Sequence, residues 1–395
     1  MIDWARWRAS DPYTVGMEEE VMLLQPDDWA LAHDADRVMS ALSPELEAHA
    51  TCETHGSAIE LNTGVHGRVG DAAAEARALR RALDSELRPL GRRAASAGTH
   101  PFAVWQDTVV SSGARYQAVY GSMRVLARRE PTVALHVHVG IPDAECGIRV
   151  VNAMRGHLPL FLALSVNSPF WQGRDTGLAS ARTPLFQAFP RVGIPRAFHD
   201  YSDWVETVEL LIRCAAFPEP TFLWWDVRPQ PRFGTVEVRI LDAQTTVADS
   251  AALCALVQCT ARLEAEERRT PSAWGPEVLG ENRFLAARDG MDARLIDERT
   301  ERRVPAAELL DELLRDCAPH ARALGCEAEL AHVRTLATTT GARRQINASR
   351  NEGRLPELVR SLADAFTGRR PPGGDGADVA PAATPAGAPA PPVPR

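Results

Sequence analysis

The sequence contains no lysine, so all 44 of its basic side chains are arginines. A P-loop needs a lysine beside its serine or threonine, a protein kinase needs one on a strand, and a lysine Schiff-base enzyme needs its amine. These three classes of enzyme are therefore excluded. Any phosphate group that binds here must be held by arginines, backbone N–H groups or metal ions.

Long apolar runs and paired cysteines are also missing. No stretch approaches the roughly 18 consecutive apolar residues of a membrane-spanning helix. The seven cysteines are odd in number and include no Cys-x-x-Cys spacing, and the charged start Met1–Arg6 does not resemble a secretory leader. We therefore expect a cytoplasmic protein with free thiols.

The chain also has no excess of basic charge. Its 52 acidic residues outnumber the 44 basic ones, which gives a formal net charge of −8 at pH 7. Nucleic acids and anionic membranes are bound by basic surfaces. We therefore expect no nucleic-acid or membrane partner, and we expect the substrates to be small molecules. A homodimer stays an open alternative for the assembly.

Two segments of different composition make up the chain. Residues 371–395 contain 8 prolines, 7 alanines and 4 glycines, and they can bury too little apolar surface to offset the entropy of ordering. We predict a disordered tail there. Residues 1–370 show no comparable break and no internal repeat, so we interpret them as one domain.

Periodicity predicts interleaved strands and helices in that domain. The predicted strands are Thr14–Leu24, Ser57–Thr63, Val133–Ile141, Thr221–Val227 and Gly234–Asp242. The predicted helices are Ala72–Ala95 with Asp71 as N-cap, Ala251–Arg269 with Ser250 as N-cap, Ala306–Arg315 and Glu327–Thr335. No Gly-x-Gly-x-x-Gly turn supports a Rossmann site. The pattern favours an α+β fold with a mostly antiparallel sheet.

The first predicted strand carries a candidate site. Alternate residues share one face of a strand, so Glu18 and Glu20 project together, whereas Glu19 lies on the other face with apolar neighbours. Two adjacent carboxylates repel each other unless a proton or a cation lies between them, and oxygen ligands suit Mg²⁺. A solvated edge strand is the other interpretation of this segment.

Two further strands carry related patterns. Glu53 precedes a strand on which Glu60 and Asn62 share a face, although ordinary alternation also explains that segment. His136 and His138 share a face of the third strand, between apolar residues. Two histidines at this spacing suit Zn²⁺ in a barrel hydrolase, a Mg²⁺ or nucleotide site, or plain hydrogen bonding in a core.

The last predicted strand pairs an acid with a base. Glu237 and Arg239 share one face, either as an ion pair or as a metal ligand beside an anion-binding group. The polar loop Asn167–Gly177 is typical of a substrate loop. No single motif is specific, but so many charges on one sheet need cations and anions to balance them. A Mg²⁺–nucleotide site on its concave face accounts for them all.

In this order, the motifs resemble those of the type 2 glutamate–cysteine ligases, the YbdK-like carboxylate–amine ligases. The similarity covers about residues 10–368. It runs through Gly16-x-Glu18-x-Glu20, Glu60-Leu-Asn-Thr-Gly, His136-Val-His-Val-Gly, the 167–177 loop, Trp225-Asp-Val-Arg-Pro, Glu237-Val-Arg-Ile-Leu-Asp and Glu281-Asn-Arg-Phe. Thr54-His55-Gly56 departs from the family, which has bulkier residues there, and the tail has no family counterpart.

The resemblance implies a glutamine-synthetase-like fold, a curved and mostly antiparallel sheet that forms a funnel backed by helices, with residues 1–370 as the catalytic domain. It implies ATP-dependent joining of the glutamate γ-carboxylate to an amine such as cysteine, through an acyl phosphate. The implied Mg²⁺ ligands are Glu18, Glu20, Glu53, Glu60, His136 and Glu237. The implied ATP- and substrate-binding residues are Arg115, Arg174, Arg228, Arg239 and His138. Glu237, Arg228 and Arg239 are the implied catalytic residues.

Three alternatives stay open. Glutamine-synthetase or guanidino-kinase chemistry would use the same metal-bearing sheet. A zinc amidohydrolase would need a barrel and more ligands than His136 and His138 supply, and a non-catalytic nucleotide-binding protein would keep only the fold. Nothing in the loops 165–195 and 267–300 marks a thiol pocket, so we expect weak activity with cysteine and a broad choice of small amines. We expect replacement of Glu237 by glutamine to abolish turnover and to relieve repulsion among the acids.

Overall fold

The structure is a computed structural model, and it describes residues 2–129, 131–267 and 275–368. The predicted disordered tail, residues 371–395, lies outside the described residues. The division into a domain and a tail therefore stays a prediction. No helix in the described part of the chain is both long and apolar enough to cross a membrane.

Strands and helices alternate along the chain. The strands are β1 Val15–Leu24, β2 Ala50–Cys52, β3 Ala58–Asn62, β4 Arg93–Ala95, β5 Ala134–Gly140, β6 Phe170–Trp171, β7 Arg174–Asp175, β8 Val192–Gly193, β9 Trp224–Trp225, β10 Val227–Gln230, β11 Thr235–Asp242, β12 Arg294–Asp297 and β13 Arg302–Pro305. The α-helices are α1 Ala35–Met39, α2 Pro44–Glu47, α3 Val69–Leu87, α4 Ala114–Met123, α5 Leu126–Arg129, α6 Ala144–Ser165, α7 Arg182–Phe186, α8 Tyr201–Arg213, α9 Val247–Glu267, α10 Pro276–Asp289, α11 Ala306–Leu324, α12 Glu327–Thr338, α13 Gly341–Glu352 and α14 Leu355–Phe366.

One seven-stranded sheet carries most of the candidate residues. Its strand order is β10-β11-β5-β1-β3-β2, with β4 paired to the C-terminal part of β1. Every pairing in this sheet is antiparallel. The order ends at β10 on one side and β2 on the other, so the sheet is open and is not the barrel that a zinc amidohydrolase would need. The predicted class, α+β with a mostly antiparallel sheet backed by helices, is confirmed.

The register of the sheet places the polar residues side by side. Glu18 lies opposite His136 of β5, and Glu20 lies opposite Glu60 of β3. His138 in turn lies opposite Glu237 of β11. Because side chains opposite each other in a sheet lie on the same face, these residues gather on one side of it.

The other side of the sheet is covered by helices. Alternate residues of β5 and β11, such as Val137 and Val238, pack in a buried cluster with residues of α6 and α9. Fifteen of the 22 residues of α6 are buried. Its first turn is capped by Asp143, whose carboxylate accepts a hydrogen bond from the Cys146 N–H at 2.8 Å. This apolar layer fixes which face of each strand is left for the site.

Several predicted boundaries are wrong. The helix predicted over 72–95 ends at Leu87, because Pro89 and the left-handed Gly91 interrupt it and the chain then forms β4. Asp71 and Ser250 are not N-caps, since α3 begins at Val69 and α9 at Val247.

The strand predicted over 221–227 is also wrong. That segment contains a 3-10 helix, Pro220–Phe222, followed by two short strands, β9 and the start of β10. The strands predicted around Glu18, Glu60, His136 and Glu237 are confirmed to within one residue at each end. The predicted helices that begin at Ala306 and Glu327 are confirmed, and both extend further than expected.

Candidate active site

A cavity of about 360 Å³ lies on the polar face of the sheet. Eight predicted residues line it: Glu18, Glu20, Glu53, Glu60, Arg115, His136, Arg228 and Arg239. Glu237 and His138 contact this lining from just beneath it, since the His138 Nε2 lies 3.0 Å from the Glu18 Oε1. Arg174 does not line the cavity and lies on the exposed hairpin of β6 and β7.

His136 lies at the centre of the carboxylates. Its Nδ1 is 3.1 Å from the Glu18 Oε2 and 3.8 Å from the Glu60 Oε2, and its Nε2 is 3.7 Å from the Glu20 Oε1. Two groups of residues bring their potential ligand atoms together, so that the atoms within each group lie no more than 4.8 Å apart. One group is Glu18, His136 and Glu237, and the other is Glu20, Glu60 and His136. Carboxylate oxygens with one imidazole form a donor set that suits a hard divalent cation.

The protonation of these acids reflects their crowding. Burial and the neighbouring Glu20 raise the pKa of Glu53 to about 8. Burial, together with Glu18, Glu53 and Glu20, also raises the pKa of Glu60 well above its usual range. Burial opposes ionisation of Glu18, but His138 and His136 hold its pKa well below the usual range. A cation beside Glu53 and Glu60 would relieve the repulsion that raises the pKa values of these two acids.

Glu237 has a different environment. It accepts hydrogen bonds from the Arg228 Nε at 2.7 Å, from the Gln230 Nε2 at 3.1 Å and from the Arg239 guanidinium. Although burial opposes it, these two guanidinium groups hold the pKa of Glu237 below its usual range. The expectation that replacing Glu237 relieves repulsion is therefore wrong, because the carboxylate is the counterion of two guanidinium groups, the buried Arg228 and the partly buried Arg239.

The arginines of the cavity differ in how firmly they are held. Arg228 also donates to the backbone oxygens of Thr221 and Leu223, at 3.2 and 2.7 Å. Arg239 approaches the His136 Nδ1 at 3.4 Å. Arg115 is 43% exposed and pairs with Glu219, which is exposed as well. Arg115 can therefore exchange its partner for an anionic ligand more readily than the buried arginines can.

Sequence reasoning missed several residues that line the cavity. They include Asp226, Arg182 and the aromatic side chains of Tyr116, Phe186, Phe189 and Trp224. Asp226 is buried and accepts from the Arg283 Nε at 2.6 Å. Tyr116 lies beside Arg115, which the resemblance implies as a binding residue, and Asp226 lies within the motif Trp225-Asp-Val-Arg-Pro. Arg182 and the two phenylalanines follow the polar loop without a pattern of their own.

The fold is that of ligases of known structure. The crystal structure of a glutamate–cysteine ligase from Francisella tularensis in complex with AMP matches 92% of this chain and 90% of its own, with a TM-score of 0.65 and 12% sequence identity. A bifunctional glutathione synthetase from Pasteurella multocida matches 90% of this chain and 52% of its own, with a TM-score of 0.64 and 14% identity. At such identities the likeness concerns the fold alone.

The chain belongs to Glutamate-cysteine ligase family 2 (GCS2), whose family model matches residues 14–361. A relative named "Putative glutamate–cysteine ligase 2-3", from Rubrobacter xylanophilus, is 41% identical over 362 residues, which cover 91% of this chain and 99% of that protein. The family predicted from the sequence motifs is confirmed.

Proposed function

We propose that this chain is an ATP-dependent carboxylate–amine ligase that forms a γ-glutamyl amide, with weak glutamate–cysteine ligase activity. The supporting observation is that one cavity is lined by five acids, two histidines and four arginines. ATP and an amino-acid carboxylate bring several negative charges together, and phosphoryl transfer between them requires cations. Acids that hold metal ions and arginines that hold anions meet this requirement.

The residues present fit Mg²⁺. The ligands would come from Glu18, Glu20, Glu53, Glu60, His136 and Glu237, whose oxygen-rich donor set suits a hard cation. The raised pKa values of Glu53 and Glu60 support the fit, because they indicate a surplus of buried negative charge. When bound, Mg²⁺ would neutralise phosphate oxygens. Glu237 would have to share its oxygens with Arg228 and Arg239.

The reaction proposed here has two steps. A γ-carboxylate oxygen of glutamate attacks the γ-phosphorus of ATP, which gives an acyl phosphate and ADP. The amine nitrogen then attacks the acyl carbon, the C–O bond to phosphate breaks, and the amide forms with loss of one proton from nitrogen. The protein's part is to position the reactants and to stabilise charge. Arg228 and Arg239 would hold oxyanions at the centre, with Arg115 at the edge of the cavity.

The amine acceptor is proposed to be loosely specified. A pocket for a small apolar side chain discriminates between acceptors that differ by one methylene by only about 1–3 kcal/mol. An acceptor screen at fixed ATP, Mg²⁺ and glutamate should therefore show several amines of comparable rate. A preference for cysteine of about a thousandfold, beyond that limit, would reveal a dedicated thiol pocket and contradict this part of the proposal.

The decisive experiment measures ADP release with each substrate omitted in turn. We expect release to need both an amino acid and an amine, and amide formation to match it. Steady ATP turnover with neither present would overturn the proposal. Glu20→Gln should lower kcat by at least about 100-fold, as loss of one charge-stabilising group commonly does. The matched control is Glu45→Gln, on the exposed face of α2, which should keep the wild-type rate.

A further inference from the structure

Arg182, the first residue of α7, is a buried arginine that binds backbone rather than carboxylate. Its Nη1 donates to the Ile240 oxygen at 3.0 Å and its Nη2 donates to the Arg239 oxygen at 3.2 Å. Only 6% of its surface is exposed, and it forms part of the cavity wall. Its nearest carboxylate, Asp242, lies 3.8 Å away and already accepts from Asn167, Ser168 and Ser180.

The two backbone oxygens belong to an irregularity in the sheet. Val238 pairs with Val137 and Leu241 pairs with Leu135, so that Arg239 and Ile240 together face the single residue His136. Two residues opposite one define a β-bulge, which interrupts the ladder of hydrogen bonds and redirects a side chain. Arg182 supplies the donors for both backbone oxygens of the bulge, and its planar guanidinium fits two acceptors at once.

The bulge is also held from its other side. The Arg239 backbone N–H donates to the backbone oxygen of Asp226 at 2.8 Å. The side-chain carboxylate of Asp226 is in turn bound by Arg283. The peptide groups of Arg239 are therefore fixed in both directions. This places the Arg239 guanidinium between Glu237 and His136, in the lining of the cavity.

We propose that Arg182 is a positioning residue that aims Arg239 at the substrate oxyanion by holding the bulge of β11. This inference rests on the proposed function of Arg239 as an oxyanion-binding group. Arg182 acts through the backbone of Arg239, so its loss misplaces that guanidinium without removing it. A misplacement of about 1 Å can cost about 100-fold in rate.

A double-mutant cycle tests whether Arg182 acts through Arg239. Arg182→Gln should lower kcat/KM for ADP release by about 10–100-fold in the wild-type background. The same change in an Arg239→Lys background should cost less than about 3-fold, because residues that act as one unit are not additive. Arg182→Gln and Arg239→Lys should both change the same Michaelis constant. This is the Michaelis constant for ATP if the bound oxyanion is a phosphate, and the Michaelis constant for glutamate if it is a carboxylate. Equal losses in both backgrounds would overturn the inference.

Arg155→Gln is the matched control. Arg155 is also buried and donates from its Nε to a backbone oxygen, that of Pro195, at 2.7 Å, but it does not line the cavity. Its replacement should lower the melting temperature and change kcat/KM by one common factor in both backgrounds. Arg182→Lys should retain part of the wild-type activity, since an ammonium can reach one of the two backbone oxygens, and it serves if Arg182→Gln does not fold.

Hydrogen exchange separates this inference from the proposed function. If the wild-type protein showed no coupled ADP release, the proposed function would fail by itself. The amides of residues 235–242 should still exchange at least about 10-fold faster in Arg182→Lys than in the wild type, with β1 unchanged, because the bulge would open locally. Unchanged exchange in 235–242 would show that Arg182 does not hold the bulge.

Discussion

The strand β1 carries three consecutive glutamates, Glu18, Glu19 and Glu20, and its two faces give them different surroundings. Glu19 faces the helices, where it accepts from the Arg80 Nε and Nη2 at 2.8 and 2.7 Å and from the Ser250 Oγ at 2.6 Å. Glu18 and Glu20 face the cavity, together with the further acids Glu53 and Glu60. One face of the strand holds a carboxylate matched by protein donors, and the other holds a surplus of carboxylates.

This difference distinguishes a structural charge from a binding site. A buried ion pair whose hydrogen bonds are all made holds elements together and has no capacity left for a ligand. A group of buried carboxylates that shift one another's pKa has unused capacity, and a cation would satisfy it. Two predictions test whether the two faces of β1 differ in this way, and a third applies the same comparison to two histidines.

The largest effect is expected on the helix face. Arg80→Met should lower the free energy of unfolding by about 3–5 kcal/mol, because it leaves the Glu19 carboxylate buried without a counterion. It also removes the donor to the backbone oxygens of Gln244 and Thr245. Urea denaturation followed by circular dichroism measures the change.

The exposed neighbour Arg81 provides the control for this prediction. Arg81→Met should change the free energy of unfolding by no more than about 0.5 kcal/mol. A loss of that same size for Arg80→Met would show that the pair with Glu19 is not structural, and the contrast between the two faces would disappear.

The second prediction concerns two histidines, one surrounded by carboxylates and the other fully hydrogen-bonded to backbone groups. His136 lies among carboxylates, whereas His100 is saturated by backbone: its Nε2 donates to the Trp29 oxygen at 2.9 Å and its Nδ1 accepts from the Ala103 N–H at 2.9 Å. Burial lowers the pKa of His100 from 6.5 to about 4. The unfolded chain therefore takes up a proton first, and this histidine's contribution to stability is lost as pH falls from about 6.5 towards 4.

Comparison with His100→Gln isolates that contribution. Between pH 7 and pH 4.5 the wild type should lose about 2–3 kcal/mol more unfolding free energy than the variant, since one pKa unit corresponds to about 1.4 kcal/mol. Urea denaturation at both pH values measures it. Equal losses of unfolding free energy in the wild type and in His100→Gln would mean that His100 is not held neutral by its surroundings.

The smallest effect is expected on the cavity face. Glu60 lies directly opposite Glu20, and like charges in that position destabilise a sheet by up to about 1 kcal/mol. With EDTA present, Glu60→Gln should therefore raise the free energy of unfolding by about 0.2–1 kcal/mol. Added Mg²⁺ should then stabilise the variant less than the wild type, since the stabilisation that a ligand gives increases with its affinity.

Glu19→Gln, on the opposite face, is the control for Glu60→Gln. It should lower the free energy of unfolding, because Arg80 would lose its counterion. If Glu60→Gln also lowered the free energy of unfolding, the cavity acids would be structural, like Glu19.

Much of the site could be predicted because it depends on local patterns. Alternation along a strand is enough to place Glu18 and Glu20 on one face and Glu19 on the other, and the structure confirms both placements. Pattern also located four of the strands to within one residue. It failed at the predicted strand 221–227, where the end of a 3-10 helix, the strand β9 and the first residue of β10 follow one another and no periodicity can develop.

Other features depend on partners that are distant in the chain. The sequence left Glu237 open either as an ion-pair partner of Arg239 or as a metal ligand, and the structure places it between Arg228 and Arg239, at the centre of an ion-pair group. Arg239 lies on the same strand, yet the bulge that directs it is held by Arg182, 57 residues away. A bulge adds one residue to a strand without any change in composition, so the sequence pattern does not reveal it.

The sequence by itself determined the family, the strands that carry the acids and the face on which each acid lies, because these follow from motifs and from a two-residue period. The tertiary structure alone decided which carboxylates are neutralised. Glu19 meets Arg80 across 61 residues and Ser250 across 231, whereas Glu60 meets other acids. The charge state of a buried group depends on the dielectric and the charges around it, and these are set by packing between segments remote in the chain.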